Sequence, residues 1–362
     1  MKTLERLSAG QLFMMLYISR MVVNVTYSSY SSDVGSLRYG VTASVIAMVI
    51  TFFMLVPVYF MIRTNKNRNV TDNAFSVFRW LGKAVALIYG LYFLWILINT
   101  ISFFDIMVKN AANPNTSVFI LSLAVVGAAV YAAYKGIEAL GRASSLIFII
   151  IVAALIVLIF SLIPEADILN TEPPSMENST DIMETVFNAI AKNSCIPAMA
   201  FLLPLASGNL KKGAVCWAFG VYLSMAVMIF MITAVLGDYL DTQVFPVYTV
   251  TAIASLGVTR RLDGIFLGVW TAGMFVKISL FIYLISVCVK RIFGNKAAKL
   301  SIILSGAVIV FVSTAVSGTN GIFNLLFDVK LLFIFTMLTG VIIPLVLGVV
   351  NIRRKKCSGM QI

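Results

Sequence analysis

The chain has 362 residues, 60% of them hydrophobic and 12% charged, with a formal net charge of +12 and no histidine. About 25% of a soluble domain is charged, so the composition excludes an ordinary soluble protein and points to a polytopic membrane protein. The positive balance does not indicate nucleic acid, because the basic residues sit in short connections between apolar runs, where they report topology. Cys195, Cys216, Cys288 and Cys357 have no paired spacing, so no metal site, cofactor or disulfide framework is expected.

A bilayer-spanning helix needs about 20 mostly apolar residues. In chain order the runs fall near 11–30, 43–62, 82–108, 118–134 and 143–163, then 184–206, 213–236, 262–289, 298–316 and 331–350. The expected fold is therefore all-α with ten transmembrane helices. Nineteen of the 27 basic residues fall on the side of the termini, five on the other and three inside spans; the connection from Pro164 to Glu184 carries six acids and no base. Basic residues accumulate in cytoplasmic loops, so both termini are expected in the cytoplasm.

Five helices per half give the halves opposite orientations and permit an inverted repeat: residues 1–163, an external loop at 164–182, residues 183–350, and a basic tail at 351–362. In such repeats helices one and six are the discontinuous pair, facing each other near the midplane. Helix six, from Phe187 to Gly208, carries Lys192, Asn193 and Ser194 before Pro197 and Ala198, with Pro204 further on. Proline removes a donor and clashes one turn back, so a break is expected between Asn193 and Pro197. Backbone freed in hydrocarbon must be satisfied by protein or must line a wet cavity, so a small-solute site is expected there, between helices one, three, six and eight. A kink that only shapes packing is the plainer alternative. Helix one carries Arg20 and Asn24 but neither glycine nor proline. Pro246, in the polar connection Asp238 to Thr251, marks an interfacial or re-entrant piece.

Three stretches resemble the spore germination permeases, the membrane B subunits of nutrient germinant receptors. They are the opening Ser8 to Leu16; the turn Tyr134 to Phe148 with Gly136, Glu138 and Arg142; and Phe245 to Tyr283 with Pro246, Arg261, Trp270, Lys277 and Tyr283. The resemblance implies a leucine-transporter-type fold related to amino acid–polyamine–organocation transporters, with five helices in each inverted repeat. It implies a multi-pass protein of the bacterial inner membrane, of cell or spore, and no enzyme activity. The implied partners are a small nutrient such as an amino acid, a receptor A subunit, a lipoprotein C subunit and membrane lipid. Helix one departs from transporters of this fold, with Arg20 to Tyr27 where a small-residue break is expected, which argues against ordinary translocation.

Arg20, Lys192 and Lys277 are the basic residues within spans. Lys277 lies 13 residues from Lys290, roughly 20 Å of helix, and Arg20 roughly 15 Å from Gln11. Such charges are functional hypotheses by default: together they make a cavity for a ligand carboxylate, or each satisfies carbonyls or a rim acid. Asp105 and Glu184 lie near the outer ends of their helices, which leaves proton coupling poorly supported. Glu138 and Arg142 form an i,i+4 surface pair or a gating contact. Gly264, Gly268 and Gly273 permit close helix approach. The expected function is germinant binding as a receptor subunit, with an amino acid permease working by alternating access, or a ligand-independent scaffold, as alternatives.

Overall fold

The computed structural model describes residues 7–25, 37–64, 68–111, 117–171, 179–256, 259–260, 262–316 and 328–359. The helices are α1 (Ala9–Val25), α2 (Gly40–Thr64), α3 (Val70–Val77), α4 (Arg79–Ala111), α5 (Val118–Lys135), α6 (Ile137–Leu162) and α7 (Ser179–Ala191). They continue with α8 (Cys195–Leu202), α9 (Leu210–Leu236), α10 (Pro246–Ile253), α11 (Asp263–Phe293), α12 (Asn295–Val316), α13 (Val329–Met337) and α14 (Ile343–Gly359). A π-helical turn at Leu338–Ile342 joins the last two.

Among the described residues nine helical spans are long and apolar enough to cross a membrane, α7 with α8 counting as one and α13 with α14 as another. α1 is a continuous helix of 17 residues, about 25 Å long, packed among them against α6, α9 and α11. It holds no break through Arg20; residues 26–30 of the predicted run lie outside the described residues. Several helix ends depart from the hydropathy boundaries. α6 starts at Ile137, directly after Gly136 at φ 94°, so Glu138 and Arg142 lie in its first turns. α14 runs on through the basic stretch to Gly359, and α7 begins at Ser179. Pro246 opens α10, an eight-residue helix too short to span.

The opening stretch has a local physical reason. Ser8 Oγ accepts from the Gln11 amide at 3.1 Å and Gln11 Oε1 accepts from the Ser8 amide at 3.2 Å, a reciprocal capping box that starts α1. Just before it, Leu7–Ser8 (β1) pairs in parallel with Ala206–Ser207 (β2), tying the start of helix one to the far end of helix six. Gly141 of α6 abuts the same place; a Cβ there would lie 2.5 Å from Leu7 Cδ2.

The two most buried spans are Ser179–Leu205 and Asp263–Phe293, with 83% and 72% of their apolar windows inside the protein. All eight residues of α8 are buried, which is why that segment is apolar on every face. Of the three α11 glycines expected to bring helices together, only Gly273 does: its Cβ position lies 2.7 Å from Val22 Cγ2, whereas Gly264 and Gly268 have nothing within 4 Å. Gly273→Leu should therefore overpack the α1–α11 contact by at least about 1–3 kcal/mol and lower membrane abundance severalfold, while Gly264→Leu should not. Quantitative immunoblotting of membranes checks both.

Candidate functional site: the break in helix six

α7 ends at Ala191, the chain unwinds through Lys192, Asn193 and Ser194, and α8 begins at Cys195. Pro197 is the third residue of α8. Amides of a first helical turn lack an intrahelical partner anyway, so its missing N–H costs nothing there, and the break falls one turn before it. Pro204 starts the 3₁₀ turn Leu203–Leu205 in the same way.

Every carbonyl at the end of α7 has a protein donor. Asn188 O accepts from the Lys192 amide at 3.1 Å and Ile190 O from the Asn193 amide at 3.0 Å. Arg20 donates from Nη2 to Ala189 O at 2.6 Å and from Nη1 to Lys192 O at 2.8 Å, and Thr336 Oγ1 donates to Ala191 O at 2.8 Å. A guanidinium placed at the negative end of a helix dipole is favourable, and its fork serves two carbonyls at once. Arg20, 1% exposed, thus takes the structural one of its two expected roles: both terminal nitrogens are engaged by backbone.

The amide end of α8 is different. Ser194, its N-cap, makes no side-chain capping hydrogen bond. The first amides of α8, with the positive end of its dipole, are thus left to an acceptor from elsewhere. Neighbouring polar groups hold the break in place. Asn193 Nδ2 donates to Thr51 Oγ1 at 3.3 Å and Tyr222 Oη at 3.4 Å, and those two oxygens are 2.6 Å apart. Tyr92 Oη meets Thr336 Oγ1 at 2.9 Å, and Tyr89 Oη donates to Thr339 O in the π turn. Thr51, Tyr89, Tyr92, Tyr222 and Thr336 were not singled out from sequence, because buried tyrosines and threonines on apolar helices are indistinguishable there from core.

Two cavities flank the unwound segment and share Val23 and Lys192 in their walls. One lies between α1, α2, α7, α9 and α10, is mostly apolar, and includes Arg20, Asn24 and Pro246. The other, with about 650 Å³ of empty space including its mouth, lies between α1, α4, α11, α13 and the break. Its polar lining is Asn99, Thr100, Lys192, Ser194 and Lys277. Lys277 is 2% exposed, forms no ion pair among the described residues, and has Nζ 6.0 Å from the centre of the Phe281 ring. Pro197 and Ala198 line neither cavity; Pro197 packs toward Gly340 of the π turn. Glu138 and Arg142 meet at 2.6 Å on the surface, far along the chain from both cavities.

The architecture is that of a multi-pass, transporter-type membrane protein with a cavity beside a broken helix, and not that of an enzyme. The chain belongs to the spore germination protein family, which matches it over residues 6–320. Among solved structures it is similar to a Na+-coupled sialic acid symporter in a substrate-bound, outward-open state, with a TM-score of 0.62 at 10% identity, covering 96% of this chain and 90% of that one. At that identity the likeness is one of fold. No curated protein matches the chain.

Arg20→Met removes the donors to Ala189 and Lys192 and leaves at least the Ala189 carbonyl without its donor in the wall of a mostly apolar cavity. The expected loss is about 3 kcal/mol or more, two charge-assisted bonds at about 1.5–3 kcal/mol each, seen as a lower thermal midpoint of the detergent-purified protein. Arg20→Lys should recover only part of it, because an ammonium cannot reproduce the planar fork.

Proposed function

We propose that the protein is the integral-membrane subunit of a spore nutrient germinant receptor and binds a small carboxylate-bearing nutrient, an amino acid, in the cavity beside Ser194 and Lys277. The observation that carries this reading is the asymmetry of the break. Its carbonyl end is closed by Arg20 and Thr336, while Ser194, the residue that precedes the first amides of α8 and leaves them uncapped by its side chain, lines one cavity with Lys277, which has no described counter-anion. A carboxylate satisfies both amide and ammonium, and an isolated ammonium at this depth needs such a partner. Helix one supports a receptor over a permease: α1 is continuous through Arg20, where transporters of this fold are expected to break, and Arg20 fastens it to the end of α7. The family supports the setting, with the A and C subunits as partners, and the basic-residue split supports ten spans in two inverted repeats, both termini cytoplasmic and an inner-membrane location.

Lys277→Met keeps most of the apolar stem and removes the charge. It should raise the half-maximal amino acid concentration for germination roughly 10- to 100-fold, the value of one charge-assisted contact, at unchanged membrane abundance. A wild-type dose response would sink the assignment. Saturable amino acid uptake by proteoliposomes of this chain alone would instead favour the permease. A reporter fused after Gly359 should read cytoplasmic, and one inserted near Glu165 external.

A further inference from the structure

We infer that Asp105, Ser122 and Ser313, where α4, α5 and α12 meet, form a binding site for one sodium ion, separate from the cavity beside the break. Asp105 is 1% exposed. Ser122 Oγ donates to its Oδ1, and Ser313 faces the same carboxylate. Oδ2 has no hydrogen-bond partner, and one turn back on the same helix Ser102, wholly buried, has an Oγ that is equally unpartnered. Residues three apart on a helix are neighbours, so the residues that carry the two orphan oxygens are neighbours on the outer third of α4.

No cation of the protein compensates the carboxylate. Asp105 forms no ion pair among the described residues, Lys109 one turn on is exposed, and the adjoining halves of α5 and α12 contain no charged residue. α11 adds Trp270, stacked on Phe104 at 5.1 Å. A bare carboxylate among apolar helices is costly unless a cation neutralises it, and buried groups left unpaired mark a water or an ion.

The chemistry of the oxygens selects the cation. One carboxylate balances a single positive charge, whereas a divalent ion would leave a buried excess. An all-oxygen set suits a hard ion rather than a soft metal, and no three His, Cys, Asp or Glu side chains gather among the described residues. A hydroxyl that donates its hydrogen, as Ser122 does to Oδ1 and Ser313 to Val310 O, still offers lone pairs, so both are able to join Oδ2 as ligands of the ion. Two turns further along, α12 and α5 approach closely, with a Cβ at Gly306 meeting Val130 at 2.5 Å, and sodium is the smaller of the two common monovalent ions.

The test is thermal unfolding of the full chain in detergent, titrated with sodium chloride against potassium and choline chlorides at constant ionic strength, together with binding of radioactive sodium. Wild type should show a saturable, sodium-selective rise in midpoint and one ion per chain. Asp105→Asn, nearly isosteric, should abolish both, and Ser122→Ala should raise the half-saturating sodium concentration about tenfold, the loss of one ligand worth about 1.4 kcal/mol. Should Asp105→Asn fail to accumulate, Ser122→Ala and Ser313→Ala decide alone. Equal response to all three salts would overturn the site and leave Asp105 a protonated structural acid. A sodium response that survives these variants would also overturn it, by placing the ion elsewhere.

Discussion

A helix interrupted inside hydrocarbon exposes two sets of backbone groups, and hydrocarbon satisfies neither. The interior of this protein is arranged around that constraint. The carbonyl set at the end of α7 is met by a guanidinium from α1 and a hydroxyl from α13, so Arg20, otherwise prohibitive in a span, is held by the break as much as it holds it. The amide set at the start of α8 is not met by the Ser194 side chain. Ser194 itself lines the cavity that contains Lys277. The two ends of one break are therefore treated differently: side chains from other helices close the carbonyl end, and the Ser194 side chain leaves the amide end uncapped.

Holding that arrangement in register requires close helix contacts at a few places. Gly273 lets α11 approach Ile18 and Val22 on α1, and Gly141 lets α6 accept Leu7. The strand pair at Leu7–Ser8 and Ala206–Ser207 fastens helix one to the end of helix six. The three stretches that carry the family resemblance therefore converge on α1: its capping box, the α5–α6 turn packed on Leu7, and the α11 face packed on Val22. Their sequences are constrained by one packing problem. On the opposite face, Arg38 bridges Asp238 and Asp241 at 2.6 and 3.2 Å, linking the entry to α2 with the exit from α9 above the more apolar cavity.

The amino-acid sequence by itself determined the membrane class, the apolar runs, their alternation and the break in helix six, because hydropathy, basic-residue placement and proline act locally and need no partner to be read. It also made a break in helix one doubtful, because no glycine or proline follows Gly10 there. What only the tertiary structure decided is which partner each polar group meets. Arg20 and Lys277 look alike in sequence, each a cation deep in a span, yet one is consumed by carbonyls of α7 and the other faces a cavity. Gly264, Gly268 and Gly273 lie on one helix, yet only Gly273 meets another. Asp105 sits near a helix end, a position that reads as a wet rim, but α5 and α12 cover it. In each case the deciding neighbour is 17 or more residues away in the chain, and helical periodicity says which face a residue occupies without saying what that face touches.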